Sequence, residues 1–211
     1  MRKIIFMMSV SLDGYIEGPN REIDWHMVDD ELHTHFNEQL GAMGAFLNGR
    51  VTHELMAGFW PTADADPSCS GPMAEYARIW RDMPKIVFSR TLQCADWNTM
   101  VIRELVTDEI IELKAQPGGD LALGGGDLAA AFMQRDLIDE YRIYVHPVLI
   151  GTGKPLFART ETRTSLRLEE TRTFGNGVVY LRYQRLAGNG APLEPFQDAA
   201  RGASSGTVLS R

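Results

Sequence analysis

Residues 119–141, GDLALGGGDLAAAFMQRDLIDEY, combine a short apolar run, three glycines and a helical pattern. The apolar run, LAL at 121–123, is long enough for the end of a buried strand, and apolar residues recur at helical spacing from Asp127 onward. Glycines between a strand and a helix let backbone N–H groups approach a ligand at the positive end of the helix dipole. The stretch therefore predicts either a phosphate-binding turn or a tight turn that uses glycine only to bend.

The glycine run matches neither of the two common nucleotide-binding motifs. G-x-G-x-x-G cannot be written across residues 124–129, and no Lys-Ser or Lys-Thr follows the glycines as it does in a P-loop. A phosphate at this turn would therefore belong to some other nucleotide-binding fold.

Composition and charge are ordinary for a soluble globular protein of one domain. The chain has 211 residues, of which 44% are hydrophobic and 23% charged, and its net charge of −7 argues against non-specific nucleic-acid binding. No apolar run approaches a transmembrane length, and the first residues do not resemble a signal peptide, so we expect a cytoplasmic protein without a membrane partner. Cys69 and Cys94 lack metal-ligand spacing and are interpreted as free thiols.

Strands and helices alternate along most of the chain, and strands alone follow. The patterns predict strands over 4–10, 45–48, 85–88 and 121–123, and helices over 28–40, 51–59, 74–83 and 108–115, the last with Thr107 as its N-cap. Residues 165–173 and 178–186 flank FGNG, which is a hairpin signal. This order predicts an α/β fold of three layers: a central, mostly parallel mixed sheet that ends in an antiparallel hairpin, with helices on both faces. Residues 188–211 lack periodicity and are predicted to be a flexible tail, which leaves 1–187 as the domain.

Three strand ends carry residues that suit phosphate. They are Gly49-Arg50-Val51-Thr52, Ser89-Arg90-Thr91 and Gly124-Gly125-Gly126-Asp127. Ligands in open α/β sheets bind outside the carboxyl ends of the strands, so the three segments can converge on one elongated ligand. The first segment suits a pyrophosphate, the arginine and hydroxyls of the second suit a phosphate monoester, and the third offers bare backbone amides. A dinucleotide with an extra 2′-phosphate would use all three.

Four segments in this order resemble the dihydrofolate reductase-like family, and most closely the C-terminal reductase domain of the riboflavin-biosynthesis deaminase/reductase. The segments are SVSLDGYI at 9–16, NGRVTHE at 48–54, VFSRT at 87–91 and LALGGGDLAAAFMQRDLIDEYRIYVHPVLIGTGKPLF at 121–157. The resemblance covers about residues 1–186. It implies a dihydrofolate reductase-like fold and NADPH as the hydride donor.

The resemblance also implies which residues hold the cofactor. Those that would face the pyrophosphate and its ribose are Gly49, Arg50 and Thr52. Those that would surround the adenosine 2′-phosphate are Ser89, Arg90 and Thr91. Those that would cradle the pyrophosphate from the other side are Gly124, Gly125, Gly126, Asp127 and Leu128. The backbone of Val10 would contact the nicotinamide carboxamide.

Candidates for the substrate side are Asp13, Trp25, Asp30 and Glu54, of which Asp13 and Asp30 are also the catalytic candidates. In dihydrofolate reductases an acid in the first long helix binds the pterin. Asp30 lies nearest that place, with Asp29 or Glu31 as alternatives, although three acids in a first helical turn also stabilise a helix without any ligand. The other three candidates also have structural explanations that need no ligand: an Asp-Gly turn at Asp13, a core position for Trp25 and a solvated helix face for Glu54.

We therefore predict an NADPH-dependent reductase that acts on a small heterocycle of the pterin or ribosylaminopyrimidine type. The alternative is an NADP(H)-binding regulatory or sensing protein without turnover. The H-x-E and P-C-x-x-C motifs of a zinc deaminase are absent from the sequence, so we expect only the reductase step. Since the late strands are rich in apolar residues, we predict a homodimer whose face includes Tyr144, Val148 and Leu149.

The five histidines do not suggest a metal site. His33 and His35 are two residues apart on a predicted helix and should point to different faces. His26, His53 and His146 are interpreted as isolated residues that are exposed or packed.

Overall fold

The computed structural model describes residues 1–69, 71–158 and 163–186 and has ten strands within them. The strands are β1 Ile4–Ser11, β2 Tyr15–Glu17, β3 Ala45–Gly49, β4 Lys85–Phe88, β5 Thr99–Ile102, β6 Leu121–Gly124, β7 Glu140–His146, β8 Lys154–Pro155, β9 Leu166–Thr173 and β10 Val179–Arg185. The helices are α1 Asp30–Gly41, α2 Arg50–Ala57, α3 Pro72–Asp82, α4 Thr107–Ala115 and α5 Gly126–Met133, with a 3₁₀ helix over Trp60–Ala65. The predicted tail, 188–211, lies outside the described residues, so the domain boundary at 187 stays a prediction.

Eight strands form one sheet in the order β5-β4-β3-β6-β1-β7-β10-β9. Neighbours from β5 to β7 are parallel, whereas β10 is antiparallel to both β7 and β9. This topology confirms the predicted mixed sheet that ends in an antiparallel hairpin. It also brings the carboxyl ends of β4, β3, β6, β1 and β7 to one edge of the sheet.

The core lies on both faces of the sheet because side chains alternate along each strand. On β1, Ile4 and Phe6 pack in the cluster that includes residues of α4 and α5, whereas Ile5 packs on the opposite face with Trp80 of α3. The predicted helices on both faces are confirmed. The helix α1 packs on one face of the sheet, and every second side chain of β1 and of β7 points to that face.

The helices begin within two residues of their predicted starts. Asp29 is the N-cap of α1, and its side chain accepts a hydrogen bond from the Leu32 N–H at 2.9 Å. The predicted N-cap at Thr107 is wrong, because Thr107 is already helical and Val106 takes the cap position without a side-chain bond. The longest helix, α1, has 12 residues, and no helix within the described ranges is long and apolar enough to cross a bilayer.

Four elements were missed by the sequence patterns, and each is short or irregular. They are β5, the 3₁₀ helix and the two paired strands β2 and β8. The β2–β8 pair joins residues about 140 positions apart, such as Tyr15 and Pro155, so no local pattern could reveal it.

The predicted dimer face is wrong at Tyr144. This residue is only 1% exposed, and its ring centroid lies 4.6 Å from that of Phe36 and 4.9 Å from that of Tyr180. On this strand the side chain points to α1 rather than to solvent. Leu149 is 69% exposed, and the homodimer itself stays a prediction.

Candidate active site

The short strand β6 leaves part of β1 without a partner on one side. β6 lies between β3 and β1 but pairs only with residues 4–6 of β1, whereas β7 pairs with β1 as far as Ser11. From Met7 onward, the edge of β1 that faces β6 is therefore open among the described residues. This opening lies at the carboxyl edge of the sheet, beside the glycine turn that follows β6.

The glycine turn packs directly on the start of α2. A Cβ atom on Gly125, whose φ is +88°, would lie 2.6 Å from the Thr52 Oγ1, and one on Gly124 would lie 2.7 Å from the Asn48 Oδ1. At Gly125 an added side chain would be strained by φ as well as by this contact, whereas at Gly124 the Asn48 side chain would have to shift. The turn therefore brings the N-termini of α2 and α5 together, as the strand ends predicted, and two positive helix ends with bare amides suit a pyrophosphate.

Lys154 covers this turn from the β2–β8 pair. Its Nζ lies 2.6 Å from the Asp127 Oδ2 and 3.9 Å from the Glu17 Oε1, and its Cε would lie 3.8 Å from a Cβ on Gly126. A cation beside the expected pyrophosphate is chemically suitable. The sequence holds no local signal for this position, because β8 reaches it only through long-range pairing with β2.

Arg50 lies at the start of α2, and Glu54 is its partner. Their side chains form an ion pair of 2.7 Å one helical turn apart, with both about half exposed. Glu54 was expected on the substrate side, and the structure instead places its carboxylate on an expected cofactor residue.

Ser89 holds the turn after β4, whereas the next two residues, Arg90 and Thr91, are exposed. The Ser89 Oγ accepts hydrogen bonds from the Thr91 N–H at 3.2 Å and the Leu92 N–H at 2.9 Å. The Arg103 guanidinium donates to the Ser89 carbonyl at 3.2 Å and also to the Leu92 carbonyl. Arg103 follows β5, which the sequence patterns missed, so its part in holding this turn was missed as well. Arg90 and Thr91 are both exposed, and the Thr91 Oγ1 lies 3.5 Å from the Ser89 Oγ.

The backbone of Val10, which was expected to contact the nicotinamide, points away from the open edge of β1. The Ile4 carbonyl accepts from the Asp139 N–H on the β7 side, and backbone groups of every second residue point the same way along a parallel strand. The backbone groups of Val10 therefore point to β7, while those of Ser9 point to the open edge. This direction depends on register, which the sequence does not show.

Asp13 ties two loops together at the ends of β1 and β7. Its carboxylate accepts from the Ser11 Oγ at 2.6 Å, the Gly151 N–H at 2.7 Å and the Ile150 N–H at 3.3 Å. These bonds, led by that from Ser11, lower the pKa of Asp13. An ionised carboxylate with its oxygens occupied suits positioning better than proton donation.

The three acids at the start of α1 have different partners. Asp29 caps the helix, and Glu31 accepts from the Arg172 guanidinium at 2.9 Å and the Gly175 N–H at 3.1 Å, which ties α1 to the β9–β10 hairpin. The Gly175 and Arg172 bonds lower the pKa of Glu31. Within the described ranges Asp30 is the one of the three whose carboxylate has no such partner.

Trp25, His26 and His146 form one aromatic cluster. The two imidazoles stack with centroids 5.2 Å apart, and the Trp25 ring stands edge-on to His26 at 4.3 Å and to His146 at 5.5 Å. The interpretation of His26 and His146 as isolated is wrong, because the segment before α1 folds back on the end of β7. His33 and His35 do lie on different sides of α1, against Trp60 and Tyr180 respectively.

A family model described as the RibD C-terminal domain matches residues 2–180. The chain belongs to this family. Two relatives from Bacillus subtilis (strain 168) span nearly the same length. YyaP is 37% identical over 183 residues, which cover 86% of this chain and 94% of YyaP, and YwjB is 29% identical over 187 residues, which cover 87% and 98%.

Two solved structures share the fold of this RibD C-terminal domain. The Thermotoga maritima diaminohydroxyphosphoribosylaminopyrimidine deaminase/5-amino-6-(5-phosphoribosylamino)uracil reductase has a TM-score of 0.61 at 14% identity, with 88% of this chain and 57% of that chain covered. Dihydrofolate reductase from Enterococcus faecalis, in complex with NADP(H), has a TM-score of 0.59 at 15% identity, with 87% and 96% covered. These likenesses confirm the dihydrofolate reductase-like fold.

A separate groove of this RibD C-terminal domain lies at the opposite edge of the sheet. It has a volume of about 640 Å³ and is lined by the starts of β3, β4 and β5 together with Arg2 and Trp97. None of the expected site residues lines it. The expected site residues therefore lie away from this groove.

We expect the stability of the domain to fall in mild acid because of its buried histidines. Burial, and secondarily His26, lowers the pKa of His146 to about 4, while an unfolded histidine titrates near 6.5. Below pH 6.5 the unfolded chain therefore binds a proton that the folded chain resists, so the free energy of unfolding falls as the pH drops toward 4 and is insensitive to this group above 6.5. Urea midpoints measured from pH 7 to pH 4.5 check this, and His146→Gln should flatten the slope. An unchanged slope in the variant would contradict the assignment.

Proposed function

We propose that this chain is an NADPH-dependent reductase of a small heterocycle of the pterin or ribosylaminopyrimidine type. The observation that carries the proposal is the glycine turn: Gly124 packs on Asn48 of β3 and Gly125 on Thr52 of α2, and two helix N-termini meet beside the open edge of β1. Family membership supports it, as do the names of the two structural neighbours, one a uracil-type reductase and the other a dihydrofolate reductase solved with NADP(H).

The cofactor-binding residues have distinct tasks in this proposal. Bound NADPH supplies the hydride, and the chain binds and orients both reactants. The expected pyrophosphate contacts are Gly49, Arg50, Thr52, Gly124, Gly125, Gly126, Asp127 and Leu128, to which we add Lys154. Arg90 and Thr91 would hold the 2′-phosphate, with Ser89 shaping their turn. The backbone of Ser9 replaces Val10 at the nicotinamide.

The substrate would lie on the α1 face of the open edge. Asp30 is the acid that begins α1, Trp25 packs on the end of β7, and Asp13 holds the loops on either side. In this scheme Asp30 contacts the heterocycle, and Asp13 positions the loops without exchanging a proton. Glu54 is left out because its carboxylate is paired with Arg50.

Replacing Arg90 with alanine should remove the preference for NADPH over NADH. Bonds between charged groups contribute about 1.5–3 kcal/mol, so NADPH affinity should fall roughly tenfold or more while NADH affinity stays the same. Calorimetric titration of both cofactors into both proteins measures this, and Arg167→Ala, at a 65% exposed side chain on β9, is the control.

Two results would decide against the proposal. If wild type binds neither cofactor, the motifs serve only the fold. If wild type binds NADPH but consumes none across pterins and aminopyrimidines, the sensing protein without turnover is the better account.

A further inference from the structure

Two cations lie beside the glycine turn, and each is paired with a carboxylate. The Lys154 Nζ lies 2.6 Å from the Asp127 Oδ2, and the Arg50 Nη1 lies 2.7 Å from the Glu54 Oε2. All four side chains reach solvent, with exposed fractions from 32% for Lys154 to 86% for Asp127. A ligand can therefore meet both pairs without any change in the core.

The two pairs lie on neighbouring helix starts. Arg50 is the first residue of α2, and Asp127 is the second of α5. A Cβ atom on Gly49, which precedes Arg50, would lie 4.0 Å from the Cβ of Leu128, which follows Asp127. The proposed pyrophosphate would bind at these same two helix starts. It would therefore compete with both carboxylates for the two cations.

The backbone that carries Lys154 is anchored on both sides. The Asp13 carboxylate accepts from the Gly151 N–H at 2.7 Å, and the Leu156 N–H donates at 2.8 Å to a carbonyl of the loop after β1. The Asp127 side chain is by contrast the most exposed member of the two pairs. When an anion arrives, we expect the Asp127 carboxylate to turn toward solvent and the lysine to stay in place.

The carboxylates should lower cofactor affinity without preventing binding. Exposed ion pairs are weak, because water screens both charges and both side chains lose freedom. A pyrophosphate carries more than one negative charge and can accept bonds from both cations at once, so it displaces the carboxylates. Each displacement nevertheless gives up one ion pair, and that loss is subtracted from the binding free energy.

We propose that the side chains of Asp127 and Glu54 are internal competitors of the cofactor, each holding a cation that the pyrophosphate takes over on binding. The inference rests on the proposed function and deepens it, because it names the residues that limit cofactor affinity. The Asp127 backbone N–H stays a proposed contact of the pyrophosphate, while the carboxylate opposes it. NADPH and NADH share the pyrophosphate, so both are limited equally, whereas Arg90 acts on NADPH alone.

Asp127→Asn tests the inference, because it removes the charge and keeps the size of the side chain. Calorimetric titration at low ionic strength should show NADPH and NADH each binding about fivefold tighter to the variant than to wild type. Glu54→Gln should act in the same direction through Arg50. Glu169→Gln is the matched control, because it also removes one negative charge from an ion pair, that with Arg167 on β9, and it should leave both affinities unchanged.

A double-mutant cycle with Lys154→Met separates competition from direct repulsion. If Asp127 acts by occupying Lys154, Asp127→Asn should change NADPH affinity by less than about twofold in the Lys154→Met background. An equal gain in both backgrounds would show that Asp127 repels the cofactor without competing for the lysine, and would overturn the inference for this pair.

The direction of the effect distinguishes competition from a structural role. A carboxylate that only stabilised its helix start would give weaker or unchanged binding when replaced. The inference is overturned for either pair if its variant binds both cofactors no more tightly than Glu169→Gln does.

Failure of the proposed function has a different appearance, since wild type would then bind no NADPH. Inorganic pyrophosphate, which needs no nicotinamide site, is the probe in that case. It should still bind Asp127→Asn more tightly than wild type, and equal binding would overturn the inference.

Discussion

Gly125→Ala is expected to weaken NADPH binding by about a hundredfold, equivalent to roughly 2.7 kcal/mol. The residue has φ +88° and ψ 131°, a conformation that only glycine adopts readily, and an added Cβ would lie 2.6 Å from the Thr52 Oγ1. Thr52 stands at the start of α2, so relief of this contact needs a rotation of its side chain or a shift of the turn. A shifted turn would redirect the backbone amides that are proposed to bind the pyrophosphate. Calorimetric titration of NADPH into the variant measures the loss.

Gly71→Ala is the matched control for backbone strain. Gly71 has φ +59° and ψ −131°, so alanine is strained there too, yet a Cβ would meet nothing within 4 Å. It precedes α3, away from the glycine turn. We expect Gly71→Ala to lose stability and to bind NADPH as wild type does. Wild-type affinity in Gly125→Ala would show that the turn is not the pyrophosphate cradle.

Asp139→Ala is expected to lower the free energy of unfolding by about 3 kcal/mol, in the range for removing one partner of a buried ion pair. The Lys114 Nζ lies 2.7 Å from the Asp139 Oδ2, and the Lys114 side chain is only 7% exposed. The same carboxylate accepts from the Ile4 N–H at 2.8 Å. The variant would therefore strand a buried ammonium group and a backbone donor at the start of the central strand. Urea unfolding of wild type and variant measures the difference.

A double-mutant cycle separates the ion pair from the rest of this effect. Lys114→Met removes the charge and keeps the length of the side chain, so Asp139→Ala should cost clearly less in that background than in wild type. Glu169→Ala, which breaks the exposed pair with Arg167, should change stability by less than about 0.5 kcal/mol. If Asp139→Ala matches this exposed control, Lys114 is not held by the pair.

The elements with strong local signals were predicted closely. β4 occupies the four positions predicted for it, and the hairpin of β9 and β10 surrounds the glycine-asparagine-glycine turn as expected. The sequence also named the strand-end segments, and the structure brings Thr52 against Gly125. These predictions succeeded because apolar period and glycine content are properties of neighbouring residues.

The features that the patterns did not reveal have a different origin. The direction of the Ser9 backbone, the stack of His26 on His146 and the pairing of Asp13 with Gly151 all depend on which distant residue lies opposite. A shift of one residue reverses the direction of every backbone and side-chain group on a strand. Local patterns do not fix such a direction, because they do not determine strand register to one residue.

By itself, the sequence determined the class of fold, the edge of the sheet that carries the candidate site and the residues suited to phosphate. The tertiary structure alone decided which distant groups occupy that edge. It tied Asp13 to Gly151 and placed Lys154 over the glycine turn. The physical reason is that strand and helix patterns arise from contacts within a few residues, whereas the availability of a charged or polar group depends on partners more than a hundred residues away, as with Asp13 and Gly151.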